Sequence, residues 1–573
     1  MITRIQGAVC IDGVSPSEVR DIVFDGETIR NDIPQSTQSD ADYRLDNHIV
    51  VAGGIDLHTH IGGGKVNIAR LLVPELVEHR RNHGRNHGRN HGRNHGRNHG
   101  QQLEQESRWM QPLSSPVPGT WETGRRYLEM GYTACFEPAV LPANARHAHA
   151  EMADTPWLDT GGYLLLGNDR LLLEWIRDGV PQQQINDYVG WMVRAHQCCA
   201  VKVVNAGGID AFKFNQRHLS VDDKHVHFGI TPRQILSALS SAVESLGFAH
   251  PLHVHCSNLG LAGNISATMA TIDAVEGRRL HLTHAQFHCY GIDGPHGYSS
   301  AAHVLADRVN SDANLSIDVG QVMFGQTVTL SGDTMHQYAN RGLARPRKAI
   351  FQDLECQAGC GVLPFRYRQD QYVHGLLWTI GIELFLRVEN PLQVFLTTDH
   401  PNGAPFTSYP HLIRLLMDYD FRMTVFSRLH PDVQQASPLP SLKREYMLDE
   451  IIKMTRLGPA RALGLKNRGC LSEGSLADVV VYEKSENMEE MFARPKMVFR
   501  RGNLVFRDGV FYEDATKSTI IAAPEVDTQM DALLKRIWKT RYGYSTEMIA
   551  VQTDELRSRR RTVEVTSPFG SQT

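Results

Sequence analysis

Residues 51–67 read VAGGIDLHTHIGGGKVN, an apolar run that breaks into glycines where two histidines stand two positions apart. Side chains two apart on a strand leave the same face. His58 and His60 therefore point together at the strand's end, and two imidazoles aimed at one place suggest a metal. The same spacing recurs at His147 and His149, His225 and His227, and His253 and His255. Spacing alone decides nothing, because a strand histidine by itself is ordinarily a satisfied core residue. Position in the fold and partners elsewhere must decide.

Downstream, short apolar runs alternate with helical patterns, the mark of βα units on a parallel sheet. GIDLHTH, YTACFEP, GGYLLLGND, CAVKVVNAGG, PLHVHCS, LHLTHA, NLSIDVG and QVFLTTDHP read as strands, with LLLEWIRDG, TPRQILSALSSAVESLG and EYMLDEIIKMTR as helices between or after them. Eight strands with crossover helices fit an α/β architecture of the (β/α)8 barrel type, with an open doubly wound sheet as the alternative. Residues 1–50 carry short strand-like pieces that read as a small antiparallel sheet, and similar pieces return in GSLADVVVYE and PKMVFRRGNLVFRDGVF. Neither set is long enough to own a core. Residues 1–50 and 470–515 are therefore expected to form one small β-sandwich flanking a barrel over residues 51–469, followed by a helical extension and tail over 516–573. In that extension Met530, Leu533, Leu534, Ile537 and Trp538 recur at helical spacing, an apolar face for the barrel or for a neighbouring subunit.

The 573 residues are 41% hydrophobic and 21% charged, enough for a large core. A net charge of −4 offers no broad basic surface to nucleic acid. No apolar run approaches the ~18 residues of a membrane helix, and the start lacks a leader's apolar core, so a cytoplasmic location is expected. Residues 81–100 repeat one arginine, asparagine, histidine and glycine unit five times with no apolar side chain, and are expected to be a flexible surface insert. Setting aside its five arginines leaves 54 basic against 63 acidic residues. Nine cysteines without a C-x-x-C pair indicate neither a disulfide framework nor an iron–sulfur ligand set. Cys198 with Cys199, and Cys356 with Cys360, read as structural thiols.

Barrels keep their chemistry at the C-terminal ends of their strands. The first predicted strand ends on His58 and His60; the fourth carries Lys202, the fifth His255, the sixth His284 and the eighth Asp399. Taken singly, Lys202 would pair with a carboxylate, and Asp399 before His400 and Pro401 would start a turn. Taken together they are four imidazoles, an amine and a carboxylate, arranged in the order that closes a barrel. Imidazole and carboxylate suit zinc. A protonated Lys202 beside divalent cations would be repelled and poorly solvated. Carbamylation by carbon dioxide turns it into an anionic bridge between two metals, and such a pair can polarise a carbonyl and supply the nucleophile that attacks it.

The ordered set GGIDLHTH, VKVVN, HVHCSNLG, HLTHAQFH and TTDHPNG, with a split sandwich ending in GSLADVVVYE, resembles the amidohydrolase superfamily. More narrowly, GIDLHTHIGGGKVN, HVHCSNLGLAGN and LTHAQFHCYG resemble the family formed by the A component of formylmethanofuran dehydrogenase and its bacterial counterpart, the hydrolase subunit of the formyltransferase/hydrolase complex. The likeness spans about residues 1–545 apart from the repeat. It implies two zinc ions held by His58, His60, His255, His284 and Asp399, with carboxylated Lys202 as the bridge and Asp399 also as the catalytic proton carrier. His255 is preferred to His253 because it lies nearer the barrel mouth; His253 stays open as a group behind the ligands. The implied reaction is hydrolysis of N-formylmethanofuran or formylmethylofuran to formate and free amine in one-carbon metabolism. The implied partners are the other subunits of one complex, including a formyltransferase subunit. Archaeal relatives run the condensation instead, beside a separate subunit that carries tungsten or molybdenum. A cyclic-amide hydrolase of dihydropyrimidinase type and a non-catalytic scaffold remain alternatives. Arg345, Arg347 and Lys348 are candidates by charge for the coenzyme's acidic tail, against a plain solvated surface.

Overall fold

Eight short strands, mostly aliphatic and buried on both faces, form the centre of the computed structural model, which describes residues 1–30, 32–73, 119–331, 339–340, 342–347, 361–513, 516–557 and 561–565. The 81–100 repeat, Lys348, Cys356 and Cys360 lie outside the described residues. The strands are β1 (Gly54–Asp56), β2 (Tyr132–Val140), β3 (Asp159–Leu165), β4 (Ala200–Val204), β5 (Leu252–His255), β6 (Leu280–Leu282), β7 (Leu315–Asp318) and β8 (Val394–Phe395). Each falls within or across a run read as a strand above. All pair parallel in chain order. The ring closes between the extensions of β8 and β1, where Thr59 bridges His400 in parallel and the His60 N–H donates to the His400 carbonyl at 2.9 Å. This is the (β/α)8 barrel, and the open sheet is excluded.

Crossover helices are set by local caps. Thr231 and Gln234 exchange side-chain and backbone hydrogen bonds as a capping box at the start of Pro232–Ser245. Asp169 accepts from the Leu172 N–H at the start of Arg170–Arg177.

The sandwich uses both ends of the chain. His48–Ala52 pairs antiparallel with Val479–Glu483 in a seven-stranded sheet. That sheet packs on a four-stranded one over Ile5, Phe24, Val50, Val479, Val481 and Phe499. The purely antiparallel N-terminal sheet anticipated from sequence is corrected: Ile2–Gln6 runs parallel to Ala41–Arg44, and Val9–Cys10 runs parallel to His48–Ala52. Gly7 lets the chain step from one sheet to the other, at a φ of 78° where a side chain would collide with Asp46. Both halves then meet parallel partners after the intervening hairpin.

The C-terminal segment is more than a helical extension and tail. Ser518–Ile521 pairs parallel with the first half of β3, and Arg561–Glu564 pairs parallel with Ser518–Ile521. On the edge of β3 away from β2, β4 pairs only with Tyr163–Leu165, and the extra strand takes Thr160 and Gly161. The buried Asp159 carboxylate pins this junction, accepting from Arg468, from Arg500 at 2.9 Å, from Arg501 at 3.2 Å and from the Ser518 N–H at 2.6 Å. Helix Thr528–Tyr542 buries Met530, Leu534 and Trp538 on its own chain, with Trp538 6.3 Å from Trp191 of helix Gln182–Ala195. No helix among the described residues is long and apolar enough to cross a membrane.

Candidate metal centre

His58, His60, Lys202, His255, His284 and Asp399 line one cleft at the C-terminal ends of the barrel strands. The cleft encloses about 1100 Å³ including the solvent at its mouth. Leu141, Leu165, Leu259, Phe287 and Leu330 wall it, and Lys65, Arg345 and Arg347 add cations to its lining. All six predicted residues are thus brought together. None of His147, His149, His225 and His227 reaches this lining. His149, for example, faces the His196 carbonyl at 3.0 Å.

His58, His60 and Asp399 form one group, with one donor atom from each within 4.8 Å of the others. Asp399 Oδ1 lies 2.9 Å from His58 Nε2 and 3.5 Å from His60 Nε2. Burial pushes the Asp399 carboxyl up, but the facing His284, His58 and His60 outweigh it and hold it well below the usual carboxylate range. The other nitrogen of His60 is taken by Glu137, whose Oε1 lies 2.8 Å from His60 Nδ1. Glu137 is held in turn by the Ile61, Gly62 and Ala139 N–H groups. A carboxylate behind an imidazole fixes its tautomer and aims the far nitrogen.

Local backbone serves the same convergence. Asp399 and His284 adopt φ of 49° and 36°, unusual for residues other than glycine and common where function over-determines geometry. Gly320 makes their approach possible: a Cβ there would sit 2.4 Å from His284 Cβ and 3.4 Å from Asp399 Cβ.

A second group joins His255, His284 and His288, again within 4.8 Å. Their rings are buried, and among the described residues His255 Nε2, His284 Nδ1 and both His288 nitrogens lack hydrogen-bond partners. Buried unpaired nitrogens are costly unless something occupies them. Lys202 is 3% exposed, and among the described residues its ammonium has neither an ion pair nor a hydrogen bond. Burial pulls it down to about 7, against Asp399 and Asp318, so near neutrality much of it is free amine.

A third group, His58, His253 and Asp318, lies behind the cleft and is already satisfied internally. His253 Nε2 is 3.0 Å from His58 Nδ1, and Asp318 Oδ2 is 3.1 Å from His281 Nε2. Asp318 Oδ1 accepts from the His284 N–H and the Thr397 hydroxyl. Sequence reading left Glu137, Asp318, His281 and His288 unassigned. The first two stand in the second and seventh predicted strands, and taking one polar residue from every strand end would have found them.

The amidohydrolase family model matches residues 45–509. The chain belongs to the amidohydrolase family. It is 39% identical over 559 residues to the A component of the formyltransferase/hydrolase complex Fhc of Methylorubrum extorquens, covering 96% of each chain. It is 33% identical to the protein FwdA of Methanocaldococcus jannaschii, covering 94% of each. A chain in the crystal structure of the formyltransferase/hydrolase complex from Methylorubrum extorquens with methylofuran superposes with a TM-score of 0.86 at 37% identity, covering 99% of this chain and 100% of that one. A hydrolase fold with imidazole and carboxylate groups able to hold metal is therefore established for this chain.

Proposed function

We propose that the chain is the hydrolase subunit of a formyltransferase/hydrolase complex, cleaving a formylated furan-amine coenzyme such as formylmethylofuran to formate and the free amine. One observation carries this: the whole length, sandwich and terminal strands included, follows a relative whose complex was crystallised with methylofuran. The six residues fit two zinc ions, with His58, His60 and Asp399 at one and His255 and His284 at the other. Lys202 would join them once its neutral amine had added carbon dioxide to give R–NH–COO⁻ and a proton, supplying an anionic ligand in place of an amine. The nitrogens of His255 and His284, unpaired among the described residues, and the burial of the Lys202 amine support that fit. A cation pair bound there supplies an ionised water at neutral pH and polarises a carbonyl.

The chain's own groups do the rest. The apolar walls at Leu141, Leu165 and Phe287 exclude bulk water from the formamide. The Asp399 carboxylate takes the proton released by the attacking water and delivers it to the departing nitrogen, because an amine leaves far more easily once protonated. Formamide and water thus become formate and an ammonium. Arg345 and Arg347 are on the cleft lining, where their charge suits the acidic part of the coenzyme. Purified protein incubated with formylmethylofuran and with a hydantoin tests the substrate. Formate release from the first, abolished by chelation and restored by zinc, is expected; turnover of the hydantoin alone overturns the reading in favour of a cyclic-amide hydrolase. A chain that binds no metal overturns it in favour of a scaffold.

A further inference from the structure

We infer that His253 and His250 are positioning residues, which set the tautomer of His58 through a continuous file of imidazoles and so direct its Nε2 lone pair at the metal centre. The inference rests on His58 being a ligand, as proposed above, and adds what holds that ligand in its working form.

The file starts at a group with no freedom. His250 Nδ1 is 3.1 Å from the carbonyl oxygen of Ala462, in the last turn of helix Gly458–Ala462, where carbonyls lack intrahelical partners. A carbonyl only accepts, so the His250 proton is on Nδ1 and its Nε2 is a lone pair. His250 Nε2 lies 3.0 Å from His253 Nδ1, which must therefore donate, leaving His253 Nε2 as an acceptor. His253 Nε2 lies 3.0 Å from His58 Nδ1, so His58 donates from Nδ1. The other neighbours of His58 Nδ1 are compatible with this: Asp318 Oδ2 at 3.4 Å can only accept, and the Thr283 hydroxyl at 2.6 Å is able to accept as well. His58 Nε2, the atom facing Asp399, is left for a cation.

The reversed file fails at its far end. A proton on His253 Nε2 would require His250 to donate from both nitrogens, as an imidazolium. His250 is 1% exposed, and among the described residues no carboxylate bonds to its ring; its partners there are the Ala462 carbonyl and His253. Charging it there is opposed by desolvation. His281, packed 4.7 Å from His253 between ring centroids, does not compete, since its nitrogens are engaged by Ser316 and Asp318. A backbone oxygen more than four hundred residues along the chain thus orients the first ligand.

Nitrogen-15 NMR of the full chain labelled at histidine reads the tautomers directly, without mutation. In the zinc-loaded protein, His250 and His253 are expected to carry their protons on Nδ1 with Nε2 unprotonated. His250→Gln and His250→Leu test the consequence by chelator competition for zinc. Glutamine keeps a donor for Ala462 and an acceptor for His253, so its affinity should stay within about threefold of wild type, whereas leucine should weaken binding about 10–100-fold, the usual cost of losing support behind a ligand. A proton on Nε2 of either ring, or unchanged zinc affinity in His250→Leu, overturns the inference. Should His250→Leu not fold, the wild-type spectrum decides. A wild-type chain that binds no zinc would instead sink the dinuclear proposal, so the two failures are distinguishable.

Discussion

Replacing Glu137 by glutamine changes one atom and tests how the first metal position is organised. The carboxylate accepts four hydrogen bonds, from His60 Nδ1 at 2.8 Å and the Ala139 N–H at 3.1 Å on one oxygen, and from the Ile61 and Gly62 N–H groups at 2.7 and 3.1 Å on the other. An amide can serve only one of these sides. If its NH₂ faces Ile61 and Gly62, two buried donors lose their acceptor, at about 1–3 kcal/mol each. If its NH₂ faces His60, only the Ala139 N–H loses its acceptor, but the imidazole must turn its lone pair to Nδ1 and carry its proton on Nε2, where a cation needs the lone pair. The second arrangement costs the metal-free protein less, so the loss should appear in metal binding. Support of this kind behind a ligand is worth about 10–100-fold, or about 1.4–2.8 kcal/mol. Zinc affinity by chelator competition and thermal unfolding of the metal-free chain measure the two terms separately. Glu137→Gln is expected to melt within a few degrees of wild type while binding zinc at least tenfold more weakly. Affinity within about threefold of wild type, with an unchanged melting temperature, would refute the reasoning that a carboxylate behind His60 sets its tautomer.

Lys202→Ala should lose metal, and small carboxylic acids should partly restore zinc content and formate release; metal analysis showing two zinc ions in the unrescued variant would remove the bridge from Lys202. Asp399→Asn should retain nearly normal metal content while turnover falls about 10²–10⁴-fold, the range for losing a positioned proton carrier, and unaltered deformylation would end that role. Glu383 gives a pH test away from the metal centre. Burial lifts its carboxyl from 4.5 to about 7, although the Ser300 and Ser437 hydroxyls donate to it. The folded state therefore holds this proton more tightly than the unfolded one. The stabilisation is fully present below pH 4.5 and is lost as pH rises through 7. Glu383→Gln should thus gain up to about 3 kcal/mol over wild type at pH 8 and nothing at pH 4, read by urea unfolding at both values. An equal difference at the two values would contradict the shift.

Much of this was local information. Each barrel strand is an apolar run bounded by turn residues, and Thr231 with Gln234 announces its helix without help from the rest of the chain. The order of His58, His60, Lys202, His255, His284 and Asp399 along those runs is a fact of the linear sequence, and a closed barrel converts it into a ring of side chains. Ser518–Ile521 was not legible as a ninth neighbour in the sheet, because its place depends on which part of the β3 edge β4 leaves unpaired, more than 350 residues away.

The sequence by itself determined which residue types stand at which strand ends, since hydrophobic periodicity is written in consecutive residues. The sequence already favoured His255 over His253 by its place nearer the strand end, but only the tertiary structure decided what each histidine touches. His253 and His255 share a strand face, yet His255 lines the cleft while His253, one layer deeper, bonds to His58 and His250. Glu137, Asp318 and the Ala462 carbonyl acquire their meaning in the same way. Hydrogen-bond partners far apart in the chain are chosen by packing, and no local pattern encodes which nitrogen of an imidazole is left free.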